Sequence, residues 1–227
     1  MKLLSGILLS TAVFMAACAD PAANKPKAQT TAPSTANPAT SASNTGAAPA
    51  KTDVFGGFKA AGTELAISPE TSKIEFTGSK VSGKHDGGFK TFKGIIDLVG
   101  DKAETSKVLV EIDVASVFTD ADGLTKHLQT GDFFEVEKFP KASFVSTKIV
   151  PPVGAGNYNV TGDFEIRGVK KSITFPATIR VLPDAVTILA EFSINRKDFG
   201  IVYAGKADDL IREDVVIKLD LKAPRKK

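Results

Sequence analysis

From residue 160 to residue 167 apolar and polar positions take turns: Val160, Gly162, Phe164 and Ile166 alternate with Thr161, Asp163, Glu165 and Arg167. A period of two is that of a strand with one buried face. The next segment repeats it, with Ile173, Phe175, Ala177, Ile179 and Val181 on one side and Ser172, Thr174, Thr178 and Arg180 on the other. Three more apolar rows follow the same rule: Ile188 to Ile194, Val215 to Leu221, and Val108 to Val114. The stretches SKIEFTGSKVSG, FKGIIDLVG and ASFVSTKIV bring the total to about eight strands, which predicts an antiparallel sandwich or barrel. Turns are expected at Asp86-Gly87-Gly88, at Gly154 to Asn157 and at Leu182-Pro183-Asp184. The outward rows carry Glu111, Asp113, Asp163, Glu165, Arg167, Lys218 and Asp220. A lipid-facing wall would be apolar outside, so here the apolar side is the interior.

One segment breaks the β pattern. In TDADGLTKHLQTGDFFEVEKFP, Asp120 or Asp122 can cap a helix carrying Leu124, His127 and Leu128 at spacings of three and four, which Gly131 then ends. Phe133, Phe134 and Phe139 follow before Pro140. A short helix with an aromatic cluster between strands suits a lid over one mouth of a barrel, and equally the completion of a core.

The N-terminal part reads differently. Lys2 precedes a mostly apolar run from Leu3 to Phe14, and Ala16 and Ala17 stand directly before Cys18, the one cysteine of the chain. The run is short for a bilayer crossing, which takes roughly 20 apolar residues, and it has the layout of an export signal over residues 1–17. A lone cysteine forms no internal disulfide. Met15-Ala16-Ala17-Cys18 resembles the lipobox of bacterial lipoproteins, with methionine in place of the commoner leucine, and that resemblance implies acylation of Cys18; the alternative is ordinary cleavage that leaves a free thiol. Residues 18–53 are rich in Ala, Pro, Thr, Ser and Asn with no large apolar side chain. Such a composition predicts a disordered tether, with an end-to-end distance of about 30 Å. Residues 54–227 remain as one domain.

Charge discriminates little, since 29 basic residues face 26 acidic ones. The phenylalanines fall in strand phase on the buried side instead of among basic residues, which argues against nucleic-acid binding. With two histidines, His85 and His127, and one cysteine, no metal-ligand spacing is present and no convergent acid, base or nucleophile is declared. His85 reads as part of a solvated turn and His127 as a packing or lid residue. The strand phase turns Arg196 inward, where it needs a partner such as Asp198 or Glu213, or else a ligand's polar head. The terminal KAPRKK is a solubilising tail or a contact for anionic lipid.

Five ordered stretches resemble the YceI-like family of polyisoprenoid-binding bacterial proteins: SPETSKIEF at 68–76, GGFKTFKGIIDL at 87–98, HLQTGDFFEVEKFPKASFVS at 127–146, GDFEIRGVKKSITF at 162–175 and INRKDFG at 194–200. Leu65 and Thr71 stand where family members often carry tryptophan and histidine, and Leu124-Thr125 replaces a common Arg-Asp pair. The resemblance implies a lipocalin-like antiparallel β-barrel, all-β, whose lumen holds a long-chain isoprenoid or similar lipid without chemical change and without a cofactor or metal. On this reading Phe76, Phe92, Ile96, Val110, Ile112, Phe144, Phe164, Ile166, Phe175, Phe192 and Ile194 line the lumen. Leu124, Leu128, Phe133 and Phe134 form the lid, and Arg196 and Asp198 mark a polar end. The expected setting is the bacterial envelope, facing the periplasm, with the acylated Cys18 in the outer membrane more than the inner. Two alternatives stand beside it: a structural or stress-related envelope lipoprotein whose barrel is filled by its own side chains, and a lipid-modifying enzyme.

Overall fold

The computed structural model describes residues 20–34, 54–154 and 157–225. Cys18, the signal segment and residues 35–53 of the expected tether lie outside them. In chain order the strands are β1 (Gln29–Thr31), β2 (Thr63–Ile67), β3 (Lys73–Lys80), β4 (Gly83–Phe89), β5 (Phe92–Val99), β6 (Lys102–Asp113), β7 (Val117–Thr119), β8 (Lys141–Val150), β9 (Tyr158–Ile166), β10 (Val169–Val181), β11 (Ala185–Asn195), β12 (Gly205–Lys206), β13 (Asp209–Leu210) and β14 (Asp214–Pro224). A single α-helix among the described residues, α1 (Asp122–Leu128), interrupts them.

The sheet curls until it closes. β2 and β3 are successive parts of one bent strand, β4 and β5 of a second, and β6 and β7 of a third. Hence the ladders β2–β5 and β3–β4 share one seam, and β5–β6 and β4–β7 share the next. From β6 the wall runs through β8, β9, β10, β11 and β14 back to β3, antiparallel at every step. The bend in the third strand is a 3-10 turn over Val114–Ser116, where the Asp113 side chain accepts from the Ala115 N–H at 3.2 Å. The lipocalin-like β-barrel with one short helix is thus the observed fold. The two-residue alternation sets its polarity: Ile173, Phe175 and Ala177 are buried inside, as are Ile188, Phe192 and Ile194.

Between β10 and β11 the ladder stops short, and an unexpected segment fills the opening. β10 and β11 pair only from Thr178↔Leu189 to Val181↔Val186. Continuing that register would set Thr174 against Ser193. Instead β1 enters between the two strands: Gln29 pairs with Thr174, Thr30 with Ile173 and Thr31 with Ser172, while Lys27 forms a parallel bridge to Ser193 on the other side. Ala28 N–H donates to Ser193 O and Ser193 N–H to Pro26 O, both at 2.8 Å. Charge holds the flanks, with Lys25–Glu191 at 2.7 Å, Lys27–Asp214 at 2.7 Å and Arg212–Asp20 at 3.3 Å. Residues 20–34 are therefore a strap in the barrel wall, which corrects the expectation of a disordered tether across 18–53. The composition argument weighed apolar burial alone. This segment is ordered by strand edges whose N–H and C=O groups must be satisfied, and small side chains such as Ala28, 6% exposed, fit the slit.

Three smaller expectations are corrected. Asp86-Gly87-Gly88 is no turn but the middle of β4, and the β3–β4 turn lies at Val81–Ser82. The glycines serve close packing: a Cβ on Gly87 would lie 2.7 Å from the Phe76 ring and 2.5 Å from the Phe118 carbonyl oxygen. Glu111, assigned to the wet exterior, is 6% exposed, because Lys93 and Lys141 approach its carboxylate at 3.5 and 3.6 Å. Lys93 in turn sits over the Phe55 ring, 4.7 Å from its centroid. Finally, Ala121 is the N-cap of α1 and gives no side-chain cap, since Asp120 is engaged by His85.

If the strap closes the wall through backbone bonds, Ala28→Pro removes the donor to Ser193 and costs about 1 kcal/mol for that bond. Amide exchange should quicken at Ser193 while the Val186 to Leu189 ladder stays protected. Unchanged protection of Ser193 would count against a strap held in this way.

Candidate functional site

Inside the barrel the inward rows do not meet. They leave a cavity of about 490 Å³, lined almost wholly by carbon, within the range of roughly 300–1,000 Å³ common for small-molecule sites. β9 contributes Val160, Phe164 and Ile166, β10 contributes Ile173, Phe175 and Ile179, and β14 contributes the full row from Val215 to Leu221. The aromatic rings order one another. Phe175 stacks on Phe192 with centroids 4.1 Å apart and planes at 10°, and Phe164 meets Phe199 edge-on at 5.1 Å. Phe144 lies across Gly162, where a Cβ would come within 2.4 Å of its ring. The glycine in the alternating row of β9 is thus the hollow into which a phenylalanine from β8 packs.

Of the residues assigned to the lumen by strand phase, Phe76, Val110, Ile112, Phe144, Phe164, Ile166, Phe175, Phe192 and Ile194 face the cavity. Phe92 and Ile96 do not. They lie 5% and 2% exposed in the packed part of the barrel beside β2, where Ile96 pairs with Leu65 and Gly94 pairs with Ile67. The phase was right for these two and the depth was wrong, since one end of the interior is filled by side chains. The expected lid residues Leu124, Leu128, Phe133 and Phe134 do border the cavity, at the other end. There Leu128 and Phe133 pack with Val117 and Ile201 in a second apolar cluster, joined by Tyr203 and Ile211.

Sequence reasoning missed Phe89, Phe199, Ile201, Tyr203 and Ile211, all of which line the cavity. Phe199, Ile201 and Tyr203 belong to FGIVYAG, a short run without polar residues and so without a two-residue alternation to show which side chains turn inward. Here it is a loop that turns its alternate side chains into the mouth.

Two arginines hold that mouth. Arg196, 4% exposed, donates from Nε to Arg212 O at 3.0 Å, and its two terminal nitrogens donate to Ile201 O at 2.6 Å and Ile211 O at 3.2 Å. The expected carboxylate partner is thereby corrected. Glu213 pairs with Lys197 at 2.6 Å and Asp198 is exposed, away from the cavity. Burial lowers the guanidinium pKa from its usual value, and Glu213 acts weakly the other way. Three carbonyl oxygens meet the donors that a buried cation would otherwise leave unsatisfied. Arg167, in the β9–β10 turn, donates to Gly131 O at 2.7 Å and to Gly200 O, and lies 3.7 Å from Glu135. It ties the segment after α1 to the loop after β11.

The polar side chains of the lining gather mostly at this end, with Lys80, His85, His127, Lys206 and Asp209, while Glu75 stands farther back along β3. Lys80 pairs with Asp209, and each histidine is bound to an aspartate: His85 Nδ1 to Asp120 at 2.8 Å, His127 Nε2 to Asp132 at 2.7 Å. The His127 ring meets Phe133 and Tyr203 edge-on at 5.0 and 5.1 Å. His85 is thus a strand residue rather than a turn residue. The hydrogen bond from His85 lowers the Asp120 pKa, and that from Thr77, at 2.6 Å, lowers the Asp86 pKa. Among the described residues no group of three His, Cys, Asp or Glu side chains could hold a metal ion.

Arg196→Met leaves three carbonyls without donors and should destabilise the fold by about 3 kcal/mol, with faster amide exchange confined at first to residues 200–212. A uniform rise in exchange would argue against a local latch. Because the folded pKa of Asp86 is depressed, its contribution is present above the unfolded value and is lost as pH falls through the folded one. Thr77→Val should therefore move the Asp86 carboxyl titration upward in an NMR pH series, and no movement would remove Thr77 as the cause.

Comparison with known proteins agrees with this geometry. The sequence pattern of the YceI-like domain matches residues 65–223. A UPF0312 protein of Pseudomonas putida (strain W619) is 33% identical over 138 residues, 58% of this chain and 71% of that protein. A UPF0312 protein of Pseudomonas savastanoi pv. phaseolicola is 41% identical over 92 residues, 40% of this chain and 47% of its own length. Among solved structures, Burkholderia cenocepacia BcnA superposes with a TM-score of 0.61 at 27% identity, over 69% of this chain and 99% of that one. A polyisoprenoid binding domain from Saccharophagus degradans shares the fold, with a TM-score of 0.56 at 16% identity over 72% of this chain and 100% of its own.

Proposed function

The chain belongs to the YceI-like family, and from that premise we propose that its barrel binds a long apolar lipid, an isoprenoid by preference, and carries it without chemical change. The observation that supports this most is the hollow interior: about 490 Å³ bounded mainly by aliphatic and aromatic side chains, with most of its polar groups at one end. A hydrocarbon chain placed there loses contact with water along its length, at about 25 cal/mol per Å² of apolar surface, less the cost of ordering its rotors. Methyl-branched chains suit walls built from phenylalanine, isoleucine and valine. The S. degradans protein of the same fold is a polyisoprenoid binding domain; in this chain the apolar lining supports the same ligand class.

We propose the bacterial envelope as the setting. Cys18 carries acyl chains and holds the protein in the bacterial envelope, in the outer membrane rather than the inner, with the barrel in the periplasm. Several chains give stable attachment where one would be marginal. A barrel filled by its own side chains is the weaker reading, since packing density in a core leaves few voids larger than a water molecule.

Organic extraction of the purified protein, followed by mass spectrometry, should yield an isoprenoid or comparable long-chain lipid. A ligand that binds only the folded state stabilises it by about 2.7 kcal/mol at a hundredfold excess over Kd, so the delipidated protein should melt lower and recover when isoprenoid is added back. Phe164→Glu, which puts a charge on the cavity wall, should abolish that recovery. Extraction without lipid, together with a melting temperature indifferent to added isoprenoid, would end the binding proposal.

A further inference from the structure

The strap changes what an anchored N-terminus can do. The first described residue, Asp20, is bound through its carboxylate to Arg212 at 3.3 Å. Arg212 belongs to the mouth: its N–H donates to Ser79 O at 2.9 Å, its carbonyl accepts from Arg196, and it follows Ile211, which lines the cavity. Asp20 is thus fixed at the rim, two residues from Cys18. Two residues span at most about 7 Å, far less than the reach of a free tether of the full 18–53 length.

The rim also exposes carbon. Val81, Val202 and Leu210 are 58%, 63% and 49% exposed. Val81 N–H donates to Leu210 O at 3.2 Å, and Val202 lies between Ile201 and Tyr203, both on the cavity wall. The opposite end exposes Val150, Val153 and Leu182 as well, so apolar exposure by itself does not choose an end. The position of Asp20 does.

We infer that the mouth of the barrel is held directly against the bilayer surface, by the shortness of the chain between Cys18 and the Asp20–Arg212 pair and by Val81, Val202 and Leu210 at the rim. The inference rests on the anchoring reading above. A lipid then passes between the membrane and the cavity at the mouth without crossing water, and the polar rim groups sit at headgroup level. The strap, bonded on both sides to β10 and β11, keeps this orientation, and residues 35–53 play no part in the reach.

The test uses the full chain in native membranes and in vesicles of phosphatidylethanolamine and phosphatidylglycerol carrying a nitroxide-labelled lipid. A fluorophore is attached at a single introduced cysteine, Val202→Cys at the rim or Val153→Cys at the far end. The parent chain, treated with the same thiol reagent, reports whether Cys18 is acylated and silent. The expected result is quenching several-fold stronger at position 202 than at 153, and a smaller difference when Arg212→Glu breaks the link to Asp20. Equal quenching at the two positions, with the protein still bound to membrane, overturns the orientation and leaves the anchoring intact. A reactive Cys18 in a protein that stays soluble overturns both.

Discussion

A sheet that curls onto itself has no free edge to give to water, so every backbone donor and acceptor in its wall must find a partner within the wall. Long neighbouring strands meet that requirement along most of this wall, and the ladder that stops short between β10 and β11 is completed in another way. Those two strands share a short ladder near their turn and then separate, and a stretch from the far N-terminal side of the chain completes the pairing. The rest of the architecture follows from this closure. The cavity has a continuous wall because the slit is filled, and the N-terminal segment has a defined exit because it does the filling.

Closure also explains why the interior is hollow. A closed wall of eight strands holds its inward rows at a separation set by strand number and tilt, so side chains from opposite walls meet only where they are large enough or where the barrel narrows. Around β2 they meet, and Leu65, Ile67 and Ile96 fill the space. Farther along, the phenylalanines lie against one another along the wall, as Phe175 does on Phe192, and the middle stays open. The chemistry of such a site is thus chiefly the shape of its wall, which contact between rings fixes.

The fold was legible because period-two alternation is a local signal, visible in five rows without knowledge of their partners. The same signal named most of the cavity wall. It could not name depth along the barrel axis, which is why Phe92 and Ile96 were assigned to the lumen alongside Ile112. Nor could it show the strap. Pro26 to Thr31 has no alternation and little apolar surface, and what orders it is an unpaired edge more than a hundred residues away. The glycines of β4 misled in the opposite direction: Gly87-Gly88 has the composition of a turn, while the Phe76 and Phe118 rings that need the space are distant in sequence. Arg196 was rightly turned inward by its phase, but its partners are main-chain oxygens, which no sequence pattern announces.

That choice of partners has a consequence for how the mouth can change over time. The guanidinium of Arg196 grips carbonyl oxygens at Ile201, Ile211 and Arg212, and a carbonyl oxygen is present whatever amino acid occupies a position. Arg167 does the same at Gly131 and Gly200. The loop is therefore located by its main chain and is indifferent to many of its own side chains. Substitutions at positions such as Val202 or Lys206 can alter the chemistry of the rim while the loop keeps its place, so that the character of the mouth is separable from its stability and open to revision one residue at a time.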